Sequence, residues 1–413
     1  MSFEFTEPIH VSEIPKLLEV LDKDITVFFI GVPGIGKSTQ VLEFAKKEAR
    51  ELNRQFIHFW DIKGDLNLLR KIFEEPENYY VFVDLRLSKV MPEDLMGHPE
   101  RLVVRYRDRR ANVERKFKAM TYAPPIWAQI LSLDGIAGLL FLDEFNQVQR
   151  DEVISASYPI VYDRSVGFVR LSPEVRVVCA GNPPEYSSIS RLLPTPLISR
   201  FLVVPVVPPS IDDWKMWMDE TYGDKWCSIT YAFLSRFPDY FIKIPQTPEA
   251  NENYPCPRNW TRLSLALNKA ERLGDRFIVE KFVKICAYGL LGRFVGSQFV
   301  AFYMKRVPTP EELLEKPQIF SRLDLDSQYV MIWSLAQYTN KVLKEHRLTI
   351  PQILAPRLAK TLSYIADVRL EFLALYIKLL DKKSGVRATM VDFVSKYCSS
   401  QFQKLTNTLS KFL

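Results

Sequence analysis

The stretch LLFLDEFNQ, Leu139 to Gln147, ends a run of large apolar side chains on two adjacent carboxylates, Asp143 and Glu144. Ionised carboxyls are costly to bring near a core unless a positive charge meets them. A second stretch, GVPGIGKST from Gly31 to Thr39, fits the spacing G-x-x-x-x-G-K-[ST], with Gly31, Gly36, Lys37 and Ser38 in register. Glycines at those positions let the backbone curl so that successive N–H groups converge on phosphate oxygens at a helix amino terminus. Pro33, Gly34, Ile35 and Thr39 complete that cradle. Lys37 adds a point charge for the outer phosphates, and the Ser38 hydroxyl can ligate Mg2+. The charge awaited by the two acids is then a metal ion. Asp143 would hold it, directly or through water, while Glu144 would orient and deprotonate the water that attacks a γ-phosphate. By itself DEFNQVQRDEV reads differently, as a helix whose acids cap its start. The third piece, VRVVCAGNPPEY, delivers Asn182 at the end of an apolar run. A neutral amide there can hydrogen-bond the γ-phosphate or the attacking water, although Asn-Pro-Pro alone reads as a turn.

These residues need a scaffold that brings the ends of several strands together. The amino-terminal half supplies one. ITVFFI (residues 25–30) is β-branched and aromatic with no polar alternation, as expected of a parallel strand buried on both faces. YVFVDL, GLLFLD, VRVVCAG and FLVVPVV repeat the pattern, and FIHFW near Phe56 is a further candidate. Helical patterns separate them. SEIPKLLEVLD places Ile14, Leu17, Leu18 and Leu21 on one face, and STQVLEFAKKEARELN follows the glycine loop. Strand–helix alternation predicts an α/β fold with a mainly parallel sheet. From about Trp214 the texture changes to helical periodicity, as in WTRLSLALNKAERLG and SQYVMIWSLAQYTNKVL, with proline-bearing breaks at IPQTPEANENYPCPR and RVPTPEELLEKP. The expected organisation is an α/β nucleotide-binding core at 1–208, a helical lid at 209–306 and a helical region at 307–413, an extended lid or a docking domain.

Composition narrows the class. The 413 residues are 47% hydrophobic and 25% charged, ordinary for a globular chain. No run approaches eighteen uninterrupted apolar residues, so no membrane span is expected, and MSFEFTEPIH does not read as a secretory signal. Cys179, Cys227, Cys256, Cys286 and Cys398 are scattered and odd in number. They read as thiols in a reducing, cytoplasmic setting, and neither they nor the four isolated histidines form a metal-binding pattern. The formal net charge of +6 is concentrated. RLVVRYRDRRANVERKFK, Arg101 to Lys118, holds eight Lys/Arg against two Asp/Glu, and its VRYRDRR alternation suits a β-hairpin. A solvated face, a contact between subunits, a grip on an acidic protein and a grip on a nucleic-acid backbone are all open for it.

The order GVPGIGKST, VDLRLSKVMPEDLMGHPE, LLFLDEFNQ, GNPPEY, ISRF and YPCPRNWTRL resembles the AAA+ ATPases, and within them the MoxR-like group, over most of residues 20–310. The resemblance implies a P-loop NTPase core with a helical lid, ATP and Mg2+ as ligands, a ring, commonly a hexamer, and chaperone-like remodelling of a protein partner. It places Asn182 at the sensor-1 position. Arg200 matches the arginine finger that reaches into a neighbouring subunit, with Arg191 and Arg164 as competitors, and Arg258 matches the sensor-2 arginine of the lid. Trp260 beside it reads as lid core. The group usually has an aspartate before the finger where this chain has ISRF, which removes a positioning partner. A nucleic-acid motor or loader on the same fold, and a nucleotide-gated scaffold with little hydrolysis, are the alternatives.

Overall fold

The computed structural model describes residues 7–62, 64–110, 112–186, 190–244, 252–274, 276–305 and 307–409. The break at IPQTPEANENYPCPR falls partly outside them, at 245–251, and Arg306 at the head of RVPTPEELLEKP lies outside as well. The chain divides into two compact units, Met1–Pro208 and Pro209–Leu413.

The first unit is built on a seven-stranded sheet. Its strands are β1 (Ile9–His10), β2 (Val27–Ile30), β3 (Gln55–His58), β4 (Tyr79–Arg86), then, after the hairpin pair β5 (His98–Asp108) and β6 (Val113–Ala123), β7 (Ala137–Asp143). A short pair, β8 (Ser165–Val166) and β9 (Val169–Arg170), precedes β10 (Val175–Gly181) and β11 (Leu202–Val207). The spatial order is β1-β11-β2-β10-β7-β4-β3, and every pairing in it is parallel. Each stretch read as a strand is one, although the FIHFW strand is shifted to Gln55–His58 and its Phe59–Ile62 end is a 3-10 turn. Strands β2 and β10 are buried at every residue, which is why they alternate nothing. β7 is buried from Ala137 to Leu142, and its first polar residue is Asp143.

Strand order sets the site. β10 lies between β2 and β7, with Gly181 opposite Ile30 and Cys179 opposite Leu142. The glycine loop, Asn182 and Asp143 therefore emerge side by side at the carboxyl edge, where open parallel sheets hold ligands. The basic stretch forms the expected hairpin, with eleven antiparallel rungs from His98–Ala123 to Asp108–Val113.

The second unit is helical, including Ile211–Tyr222, Ile229–Arg236, Pro257–Glu271, Arg276–Tyr303, Leu325–Glu345 and Leu354–Val368. One buried apolar cluster runs through it from Trp214 to Cys398. At its centre the Phe233 ring meets Phe299 and Phe302 edge-on, each at 5.3 Å, and Trp260 at 5.6 Å. Trp260 is core of this unit; it is fully buried and its indole N–H donates to the Tyr240 carbonyl at 3.0 Å. One helical segment, Ile278–Tyr303, is long and apolar enough to cross a membrane by length and composition. It is kinked at Gly292 (φ 77°), and 44% of its most apolar window is buried inside the structure. All five cysteines are free thiols.

Candidate phosphate-loop site

The loop from Gly31 to Gly36 joins β2 to the helix Lys37–Glu51. Gly36 caps that helix at φ 107°, a left-handed conformation that side chains rarely adopt. Gly31 is required for another reason, since a Cβ there would stand 2.6 Å from the Val206 carbonyl oxygen of β11. Gly34 turns the loop at φ 79°, Pro33 is half-buried beside it, Ile35 pins it into the core, and Thr39 lies in the first helical turn.

The Lys37 side chain folds back under the loop. Its Nζ donates to the Gly31 carbonyl at 2.6 Å, to the Val32 carbonyl at 3.1 Å and to Asn182 Oδ1 at 3.1 Å. Beside it the exposed Ser38 hydroxyl donates to Asp143 Oδ2 at 2.8 Å. The structure thus brings Lys37, Ser38, Asp143 and Asn182 into one contact set drawn from three neighbouring strand ends. Asp143 is half-buried, and its other oxygen accepts the Glu144 amide at 2.8 Å. Burial raises the Asp143 carboxyl above its ordinary value, while the Ser38 hydroxyl, the Glu144 N–H and the Lys37 charge pull it back down.

Glu144 does not begin a helix. It sits at φ 56°, ψ 33°, a left-handed conformation that costs a non-glycine residue about 1 kcal/mol or more. A single 3-10 turn, Phe145–Gln147, follows, and the next helix starts only at Asp151. The helical reading of DEFNQVQRDEV is therefore corrected. The left-handed turn lets Phe145 enter the core while Glu144 leaves the strand line, and the Ser88 hydroxyl donates to Glu144 Oε2. Ser88 was not singled out by sequence reasoning. Neither was Asn146, which is buried and grips the backbone of Asn182: its Oδ1 accepts the Asn182 N–H at 3.1 Å and its Nδ2 donates to the Asn182 carbonyl at 2.7 Å. The signal available for Asn146 was a short neutral amide between Phe145 and Gln147, directly after two acids.

The three finger candidates differ in what they touch. Arg164, at φ 51°, donates to the carbonyls of Lys23, Ser172 and Val175, and burial lowers its pKa. Arg191 donates to the Val148 carbonyl at 2.6 Å and to Asp151 at 2.6 Å. Arg200 is exposed just after the short helix Thr195–Ile198, its guanidinium stacked over the Tyr162 ring at 4.9 Å. Arg258 belongs to the second unit, exposed in the first turn of Pro257–Glu271.

The donor set suits a hard cation. A hydroxyl and a carboxylate are the oxygen ligands Mg2+ prefers, and it commonly completes its shell with phosphate oxygens and water. Among the described residues no group of three or more His, Cys, Asp or Glu side chains could hold a metal unaided. A cation here would therefore need the phosphates as co-ligands.

Fold and loop together define the class: a P-loop α/β core on a parallel sheet, followed by an all-helical unit. No protein-family model matches the chain, and no curated protein does. Among solved structures it is similar to PCH-2 of C. elegans, at 12% identity over 72% of this chain and 67% of that one, with a TM-score of 0.28. It is also similar to a point mutant of Thermotoga maritima RuvB, at 15% identity over 83% of this chain and 93% of that one, with a TM-score of 0.33. Likenesses this distant carry no weight for function, which has to come from the site itself.

Proposed function

We propose that the chain is an AAA+ ATPase of the MoxR-like type, hydrolysing Mg-ATP in a ring and remodelling a protein partner in the cytoplasm. The observation that carries this reading is the 2.8 Å contact between Ser38 and Asp143, with Lys37 on one side and Glu144 on the other. In this reading the loop N–H groups and Lys37 bind the β- and γ-phosphates, and Ser38 and Asp143 hold Mg2+, which neutralises phosphate charge when bound. Glu144 accepts a proton from the attacking water as its oxygen bonds to the γ-phosphorus. The bond from that phosphorus to the β-γ bridging oxygen breaks, and ADP leaves. Asn182, fixed by Asn146, orients the water or the γ-phosphate. To reach the water, Glu144 must exchange its Ser88 hydroxyl partner for it.

Arg200 suits the finger role because its guanidinium is exposed, whereas Arg164 and Arg191 are committed to carbonyls and to Asp151 within their own unit. Within the helical unit the reading assigns residues 209–306 to a lid carrying Arg258 and residues 307–413 to an extended lid or docking region. The free thiols are in keeping with a reducing compartment. The test is phosphate release with Mg-ATP at several protein concentrations. Specific activity that rises with concentration and is abolished by Glu144→Gln supports an assembling ATPase. A flat, background rate at every concentration refutes it in favour of a scaffold.

A further inference from the structure

The nucleotide site makes no use of the β5–β6 hairpin, whose register sorts its side chains into two unlike faces. Residues directly opposite in an antiparallel pair share a face, and successive residues alternate. On one face stand Leu102, Val104 and Tyr106 of β5 with Val113, Phe117 and Ala119 of β6. On the other stand Arg101, Arg105 and Arg107 with Lys116 and Lys118. Both strands carry exceptions: Val103 of β5 and Glu114 of β6 interrupt the cationic face, Glu100 lies at the end of the apolar one, and there Arg115 is paired with Asp108 at 3.0 Å.

Neither face is covered. Leu102, Tyr106 and Phe117 are 46%, 45% and 50% exposed, although the Tyr106 and Phe117 rings meet edge-on at 6.1 Å. The hairpin is a two-stranded sheet with no third strand among the described residues, so β5 presents an outer backbone edge. A long open edge flanked by apolar side chains is a template for another strand.

We propose that the β5 edge binds an extended protein segment in which apolar and acidic residues alternate, adding it as a third strand. Such a segment satisfies both faces at once. Its apolar residues extend the row of Leu102, Val104 and Tyr106 at the two-residue strand repeat of about 6.8 Å, and its carboxylates meet Arg105 and Arg107 at that repeat and Arg101 beyond Val103, two repeats from Arg105. The β5 edge is favoured over β6, where Glu114 repels the acids and Arg115 breaks the apolar row. A nucleic acid satisfies only the cationic face and leaves the apolar one in water. The proposal rests on the hairpin alone and is independent of the nucleotide reading.

The experiment uses the full chain without nucleotide and a dye-labelled ten-residue peptide alternating Glu and Val, followed by fluorescence polarisation. Two further peptides serve as controls, one with five Glu then five Val and one N-methylated at alternate residues to remove the donors along one edge. A single-stranded DNA oligonucleotide is the fourth probe. The alternating peptide is expected to bind, and both control peptides to bind at least tenfold more weakly. Replacing Leu102, Val104 and Tyr106 together by Thr should weaken binding at least tenfold with the melting temperature unchanged. Replacing Arg101, Arg105 and Arg107 together by Glu should abolish it. Equal binding of the alternating and blocked peptides overturns the proposal, as does DNA binding that is indifferent to the Thr substitutions while no peptide binds. The N-methylated peptide leaves the protein untouched, so its result stands even where a hairpin variant fails to fold.

Discussion

Asp143 offers the sharpest prediction, because its burial and its proposed metal role pull stability in opposite directions. Burial raises its carboxyl above the ordinary 3.8, against the opposing effects of the Ser38 hydroxyl, the Glu144 amide and the Lys37 charge. The folded chain therefore holds that proton more tightly than the unfolded chain. Stability is lost as pH rises from 3.8 through the raised value, and the deficit is complete at neutral pH. Asp143→Asn removes the charge but keeps an oxygen to accept the Glu144 N–H, while its NH2 can donate to the Ser38 hydroxyl. Without metal or nucleotide at pH 7, the variant should be more stable by about 1 kcal/mol, the usual scale on which a functional site trades stability for activity. For a unit of this size that is a rise of about 2–4 °C in melting temperature.

Saturating Mg2+ and a non-hydrolysable ATP analogue should invert the order. Ligand at a hundred times its Kd stabilises the wild type by about 2.7 kcal/mol, and the variant, short of a metal ligand, should gain far less. Differential scanning calorimetry in EDTA and in Mg-nucleotide, each at pH 7 and near pH 3, reads all of this. In EDTA the advantage of the variant should be full at pH 7 and absent at the lower pH. A variant less stable than wild type in EDTA at neutral pH would refute the burial argument. Equal stabilisation of both proteins by Mg-nucleotide would remove Asp143 from the metal site.

Glu144→Gln should bind ATP with little change and lose about 10²- to 10⁴-fold in turnover, the range for a general base; equilibrium binding and phosphate release measured on the same sample separate the two effects. Arg200→Ala should lose turnover alone, and mixing it with Lys37→Ala subunits should restore part of the activity, because some sites then pair an intact Lys37 with an intact Arg200; no recovery in properly mixed rings would refute a finger acting in trans. Arg164→Ala should lower stability by about 3 kcal/mol, since it leaves three carbonyls without their shared donor, and urea unfolding of the first unit measures it. A loss below about 0.5 kcal/mol would show that those contacts are not structural.

Much of the first unit was legible because parallel strands buried on both sides have to be continuous apolar runs. β2, β4, β7, β10 and β11 stand where such runs occur, and the glycine loop follows β2 because only a strand end can aim it at the carboxyl edge. What sequence could not supply was lateral order. That β10 intervenes between β2 and β7, placing Asn182 against Lys37, depends on which strands pair across more than a hundred residues of separation. Local pattern carries no record of such pairing.

The turn after β7 shows a different limit. DEFNQVQRDEV has helix-compatible residues throughout, and periodicity alone would continue the helix back to Asp143. Tertiary demand wins over that preference. Phe145 is fully buried and meets the rings of Phe28 and Phe201, and bringing it there from the end of a flat strand requires the chain to turn at Glu144. The same turn carries Asn146 inward to hold Asn182, and carries the Glu144 carboxyl to Ser88. The two acids are adjacent in sequence but meet different surroundings, Asp143 the loop and Glu144 the far wall. That separation is what lets one hold a cation while the other moves a proton, and it is bought by a backbone conformation that no residue-by-residue reading of the stretch would select.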